Sequence, residues 1–167
     1  MKLYRLKQFY WAVTARINKS DENFIQENLN DTEKKLFLKL SKSDQKHCLR
    51  VAYKVKELCK ESNLSDKILV KAALLHDIGK AQCSLGVIDK SLLVIADKIL
   101  NGNLKKFKNI KKVNTYYNHA EIGYEILKKY DYDEKFLNLI RNHHMKQGNF
   151  KDIDKELSIL IKSDSEN

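Results

Sequence analysis

The chain contains five histidines, His47, His76, His119, His143 and His144, and each falls on an apolar helical stripe. His47 precedes Val51, Val55 and Leu58 by 4, 8 and 11 positions, and His76 follows Leu69, Ala72 and Ala73 by 7, 4 and 3. His119 precedes Ile122, Gly123 and Ile126; His143 follows Phe136, Leu139 and Ile140; His144 follows Leu137 and Ile140. Asp164 repeats the pattern behind Leu157, Leu160 and Ile161. Residues at those spacings share one helix face, so five imidazoles and a carboxylate are aimed at the interior. Asp77 joins them, about 100° round the helix from His76.

An unpaired buried polar group costs about 1–3 kcal/mol and a buried carboxylate more. Six or seven of them exceed the roughly 5–15 kcal/mol that a domain has to spare, unless they satisfy one another or share a partner. A metal cation takes neutral imidazoles and carboxylates together. Five imidazoles with carboxylates suit Mn, Fe, Co, Ni or Zn better than Mg or Ca.

The elements that must position these residues read as helices throughout. There is no Pro and only 5 Gly in 167 residues, where sandwiches and barrels lean on Pro/Gly turns. A first helix carries the stripe Leu3, Leu6, Tyr10, Val13 and Ile17. Short helices follow Ser20-Asp21 and Asn30-Asp31, which offer caps. A long helix runs from about 44 to 60, and Ser65-Asp66 caps another that reaches His76-Asp77, with Gly79 as its stop signal. Further helices are expected over about 88–100, 117–129, 134–144 and 153–164. The fold class is all-α, one helical domain over 43–167 with an N-terminal helical segment, 1–42, packed on it.

Hydrophobic residues make up 43% and charged residues 32%, a globular profile that excludes a chain dominated by disorder. No apolar run reaches the ~18 residues of a membrane span. Three cysteines, Cys48, Cys59 and Cys83, lack metal-type pair spacing and read as thiols in a reducing compartment, so a cytoplasmic location is expected. The net charge of +10 suits anionic partners, although only 4 of the 32 basic residues are Arg, the better fork for phosphate and base edges. The most basic stretch, Lys105, Lys106, Lys108, Lys111 and Lys112, is expected to be a solvated surface, with nucleic-acid binding as a further reading.

The segment Leu74-Leu75-His76-Asp77-Ile78-Gly79-Lys80 resembles the signature of HD-domain metal-dependent phosphohydrolases in the form called HDIG. His47 upstream, His119 in a His-Ala-Glu-Ile-Gly context, the doublet His143-His144 and the closing Asp164 fall in that family's order, so the resemblance spans about 44–164. It implies an all-helical fold around a divalent metal centre. One ion would be held by His47, His76, Asp77 and Asp164, and a second by His119, His143 and His144 with Asp77 bridging. The ligand set is similar to that of HD-GYP-type cyclic-dinucleotide phosphodiesterases. Here, however, Met145-Lys146-Gln147-Gly148-Asn149-Phe150 comes after the doublet, with no Gly-Tyr-Pro. The dinucleoside-tetraphosphate hydrolase group is a second relative, with a single late histidine.

The implied activity is hydrolysis of a phosphate ester or anhydride, with a nucleotide or related small molecule as substrate and a hydroxide activated by two metals. Asp77 and Lys80 are the expected catalytic residues, and Lys80, Arg50 and Lys146 the candidates for holding the phosphate. Asp152 and Asp154 compete with Asp164 for the last ligand position, although both sit where a helix begins and so suit capping. A metal-containing regulatory or binding module without turnover is the alternative.

Overall fold

The structure is a computed structural model that describes residues 14–145 and 154–167. Eight α-helices and two short 3-10 turns make up its regular structure, and there is no strand among the described residues. The stripe Leu3, Leu6, Tyr10 and Val13 lies outside them.

Each early helix begins at a cap. Helix α1 (Lys19–Asn28) starts at Asn18, whose Oδ1 accepts from the Asp21 backbone while Asp21 accepts in return from Asn18 N–H. Helix α2 (Asp31–Phe37) repeats this capping box with Asn30 and Glu33. The pair Ser20-Asp21 is therefore not the cap of α1. Asp21 occupies the third helical position and is buried, where Lys46 and the Tyr53 hydroxyl also bond it. Ser41 caps helix α3 (Lys42–Glu61), which at 20 residues spans about 30 Å.

Helix α4 (Lys67–Leu75) is apolar almost all round and is the core of the bundle. Leu69, Val70, Ala72, Ala73, Leu74 and Leu75 are all buried, with α1, α2, α3, helix α7 (Glu134–Asn142) and helix α8 (Lys155–Ser165) packed against them. Its one mid-helix charge, Lys71, reaches buried Glu33 at 2.7 Å.

Two expected boundaries differ from the fold. Gly79 does not stop α4, which ends at Leu75. It sits inside a 3-10 turn, Ile78–Gln82, pressed against helix α6 (Lys111–Leu127). A Cβ on Gly79 would lie 1.9 Å from the His119 carbonyl oxygen, so only glycine admits this approach. Gly123 faces it from α6, with a built Cβ 3.4 Å from the Gly79 nitrogen. Helix α6 also begins six residues before Tyr117, at Lys111. No capping side chain announces that start, because Ile110 stands at the cap. Helix α5 (Val87–Ile99) and a second 3-10 turn (Asn103–Lys106) complete the chain order between them.

Candidate metal centre

Three helix ends and two helix faces converge on a single point. His76 closes α4 and Asp77 opens the 3-10 turn behind it. His143 closes α7 and His144 lies in the turn beyond it. Asp164 comes from the last turn of α8, His47 from the first half of α3 and His119 from the middle of α6. These seven residues, widely separated in the sequence, are brought together.

They form two sets. Donor atoms of His47, His76 and Asp164 lie within 4.8 Å of one another, and so do those of Asp77, His119, His143 and His144. Asp77 joins the sets with its two oxygens. Its Oδ1 is 3.3 Å from His119 Nε2 and 4.0 Å from His143 Nε2, while its Oδ2 is 3.5 Å from His76 Nε2 and 3.8 Å from His47 Nε2. Asp164 spans them as well, Oδ1 at 2.9 Å from His47 Nε2 and Oδ2 at 3.7 Å from His144 Nδ1. Donors around one ion at metal–ligand lengths near 2.1 Å sit roughly 3.0–3.4 Å apart, close to these separations.

Ring orientation is fixed by the backbone. Nδ1 of His76, His119 and His143 faces the carbonyl oxygen three residues earlier, at Ala73 (2.8 Å), Tyr116 (3.2 Å) and Ile140 (2.6 Å). A proton on Nδ1 donates to that carbonyl, which leaves Nε2 as a bare lone pair directed at the centre. Nε2 of His76, Nε2 of His143 and Oδ1 of Asp77 are buried with no hydrogen-bond partner among the described residues. Asp164 Oδ1 stands 3.6 Å from His76 Nε2, beyond hydrogen-bond reach. Three such atoms in one place would cost several kcal/mol, and all three are electron-pair donors. These buried His and Asp groups could hold metal ions, which would satisfy all three atoms.

The charges agree with this. Burial pushes Asp77 upward, but Lys80 and the surrounding histidines outweigh it and hold the carboxyl well below the usual range. Burial acts upward on Asp164 as well, and there His47 and His76 outweigh it and hold the carboxyl far down. Burial depresses His143 strongly, His144 less, and takes His119 down to about 4, so these rings stay neutral. Burial acts downward on His76 too, yet Asp77, Cys48 and Asp164 reverse the sign and raise it. The two carboxylates thus draw positive charge to this end of the centre, which a cation supplies as a proton does.

The expectation that every histidine points inward needs one correction. His144 has its side chain 51% exposed, because it lies past the end of α7, where the helical stripe no longer governs direction. It forms the rim of the centre, its Nε2 2.7 Å from His119 Nε2. His47 is half-buried and turns its Nε2 to Asp164 and Asp77. Lys80 Nζ bonds Asp77 Oδ2 at 2.5 Å; burial lowers its pKa, but Asp77 and Asp44 outweigh this and raise it. Arg50 is half-buried on α3, three residues beyond His47. Asp154 caps α8 by accepting from Glu156 N–H and lies 3.7 Å from Lys135 Nζ. Lys146 and Asp152 lie outside the described residues.

Residue-type patterning missed the part played by three residues. Cys48 is fully buried beside His47 and has its sulfur grouped with His76 and Asp77. Gly79 and Gly123 bring the 3-10 turn against α6 and so set the distance between Asp77 and His119. The signal was present, since each glycine lies two to four residues after a ligand candidate, but Gly79 reads equally well as a helix stop and Gly123 as one more position on the stripe of His119.

A family model described as HD domain matches residues 45–165, well over half of the chain. No curated protein and no solved structure matches it.

Proposed function

The chain belongs to the HD-domain family, and on that basis we propose that it is a metal-dependent phosphohydrolase or phosphodiesterase acting on a nucleotide or related phosphate ester. The observation that carries the reading is Asp77, whose two oxygens face two separate histidine sets. A carboxylate so placed would suit a position between two ions. In this reading His47, His76, Asp77 and Asp164 would hold one ion, and Asp77, His119, His143 and His144 the other. Mn, Fe, Co, Ni or Zn suits this donor set. When bound, such cations would lower the pKa of a water toward neutrality and offset charge on the phosphoryl oxygens.

The chain's own residues do the rest. The carbonyls of Ala73, Tyr116 and Ile140 lock three rings in the tautomer that presents Nε2. Lys80, whose pKa is raised, keeps its proton and acts as a fixed positive charge for the substrate's non-bridging oxygens rather than as a proton shuttle. It also restrains Asp77. His144, on the exposed rim, lies where a substrate enters. Arg50 and Lys146 are the further candidates for phosphate contact. The catalytic unit would be residues 43–167, with an N-terminal segment before it whose described helices, α1 and α2, pack on α4.

The test is turnover. Protein loaded with each divalent metal is incubated with a nucleotide panel and a generic aryl phosphodiester. Release well above that of a His76→Ala control is expected. Release equal to that control with every metal would favour a binding module without turnover.

A further inference from the structure

Helix α5 is amphipathic in the wrong sense. Lys90 turns into the molecule and reaches Asp44 on α3 at 2.5 Å. Asp97, one face with it, lies beside Tyr117 of α6; burial and that carboxylate push the Tyr117 hydroxyl up to about 12. With Leu93 and Val94, both half-buried, these make the inward face. Ile88, Leu92, Ile95 and Ile99 lie at about 160°, 200°, 140° and 180° from Lys90 on the helical wheel. They are 74%, 58%, 55% and 73% exposed. The face turned away from the bundle is therefore an unbroken row of large aliphatic side chains at spacings of 4, 3 and 4.

The segment after α5 is basic. From Lys98 to Ala120 there is no Asp or Glu, and Lys98, Lys105, Lys106, Lys108, Lys111 and Lys112 are all exposed. Leu100, Phe107 and Ile110 stand exposed among them. The 3-10 turn Asn103–Lys106 packs on α5 and Lys112 Nζ reaches Asp89 of α5 at 2.7 Å, so this basic segment lies against the helix that carries the row. The two acidic groups of α5 are accounted for: Asp97 faces Tyr117, and Asp89 bonds Lys112 at 2.7 Å.

We propose that α5 and the basic segment after it dock this protein on an anionic membrane surface, the aliphatic row entering the acyl boundary and the lysines meeting lipid phosphates. An exposed aliphatic row bordered by lysines matches the two attractions of an interfacial helix, apolar burial and anionic headgroups. Charge decides against the other occupants. A second copy brings its own lysines against these, of which only Lys112 is paired among the described residues, with Asp89, and a nucleic acid gains nothing from the aliphatic row. No helix among the described residues is long and apolar enough to cross a membrane, so the contact is interfacial. No residue of the metal centre takes part, and the contact is independent of the proposed activity.

The full chain is floated with vesicles of phosphatidylcholine alone and of phosphatidylcholine with about 30% phosphatidylglycerol, at low and high salt. Binding to the anionic vesicles, weakened by salt, and little binding to the neutral ones are expected. Leu92→Gln/Ile95→Gln/Ile99→Gln and, separately, Lys105→Gln/Lys106→Gln/Lys108→Gln should each lower partitioning at least roughly tenfold, with unchanged melting curves. Several results overturn the proposal: no flotation with anionic vesicles, equal flotation with both kinds, or variants that float like the parent. So does a stable dimer that the aliphatic variant dissolves, or salt-sensitive binding to duplex DNA without vesicle binding.

Discussion

Replacing Gly79 by alanine tests the packing that sets the centre's dimensions. The added Cβ would lie 1.9 Å from the His119 carbonyl oxygen and 2.8 Å from both His119 C and Gly123 N. All three are backbone atoms of α6, so no side chain can swing aside. Real Cβ contacts do not fall below 3.0 Å, so the turn and the helix must part by at least about 1.1 Å. His119 rides on that helix, and metal–ligand distances tolerate only about 0.2 Å. Overpacking of this kind costs roughly 1–3 kcal/mol or more, which for a chain of this length lowers the melting temperature by about 2–12 °C. Activity falls about a hundredfold, the usual cost of a displacement near 1 Å. Melting is followed in chelator, so that packing is read alone, and metal per chain is measured separately. Gly102→Ala is the control. Its φ of +79° strains a side chain by about 1 kcal/mol, but nothing lies within 4 Å and no ligand is attached. A Gly79→Ala protein with parental melting temperature and metal content would show that this close crossing does not set the centre's dimensions.

Other substitutions separate the remaining roles. His144→Ala removes a half-exposed ring on the rim, so stability in chelator should stay within about 0.5 kcal/mol while bound metal falls; unchanged metal content would remove His144 from the ligands. Lys80→Gln should raise KM for an anionic substrate severalfold and leave the ions in place, with the KM and kcat split as readout. Asp21→Asn should cost roughly 1–3 kcal/mol at pH 7 by urea unfolding, since the carboxylate accepts from Asn18 N–H, Lys46 and Tyr53. Burial pushes the Asp21 pKa up, but those partners lower it below its ordinary 3.8. Its contribution is therefore full above about pH 4 and disappears as pH falls through the lowered value, so the gap between parent and variant should close in acid. A gap that persists undiminished at pH 2 would show that the charge is not what stabilises.

The histidines were legible because each sits on a stripe whose apolar members fix its direction. Where the helix runs through the residue, as at His119 and Asp164, or ends immediately before it, as at His76 and His143, the direction held. One residue further, at His144, it did not, since the turn beyond the cap releases the side chain from helical geometry. Capping chemistry located α2 at Asn30, but α3 begins behind Ser41 rather than near 44, and α6 begins at Lys111 behind Ile110, which has no capping side chain, so its first six residues read only as basic surface. Gly79 illustrates the harder case. A glycine after a helix suits a stop and a close crossing equally, and only the neighbouring helix, distant in sequence, decides between them. The exposed row on α5 was hidden for the opposite reason. Its 4, 3, 4 spacing is that of any core-facing helix, and nothing local says that this face is turned outward.

If the seven residues hold two ions with Asp77 between them, the stoichiometry is fixed. Elemental analysis of the purified protein, loaded with a transition metal and freed of excess, measures it. About two ions per chain are expected, falling to one or fewer in Asp77→Asn. A parent protein that retains no metal, or an Asp77→Asn protein that retains as much as the parent, would rule out a bridged two-ion centre.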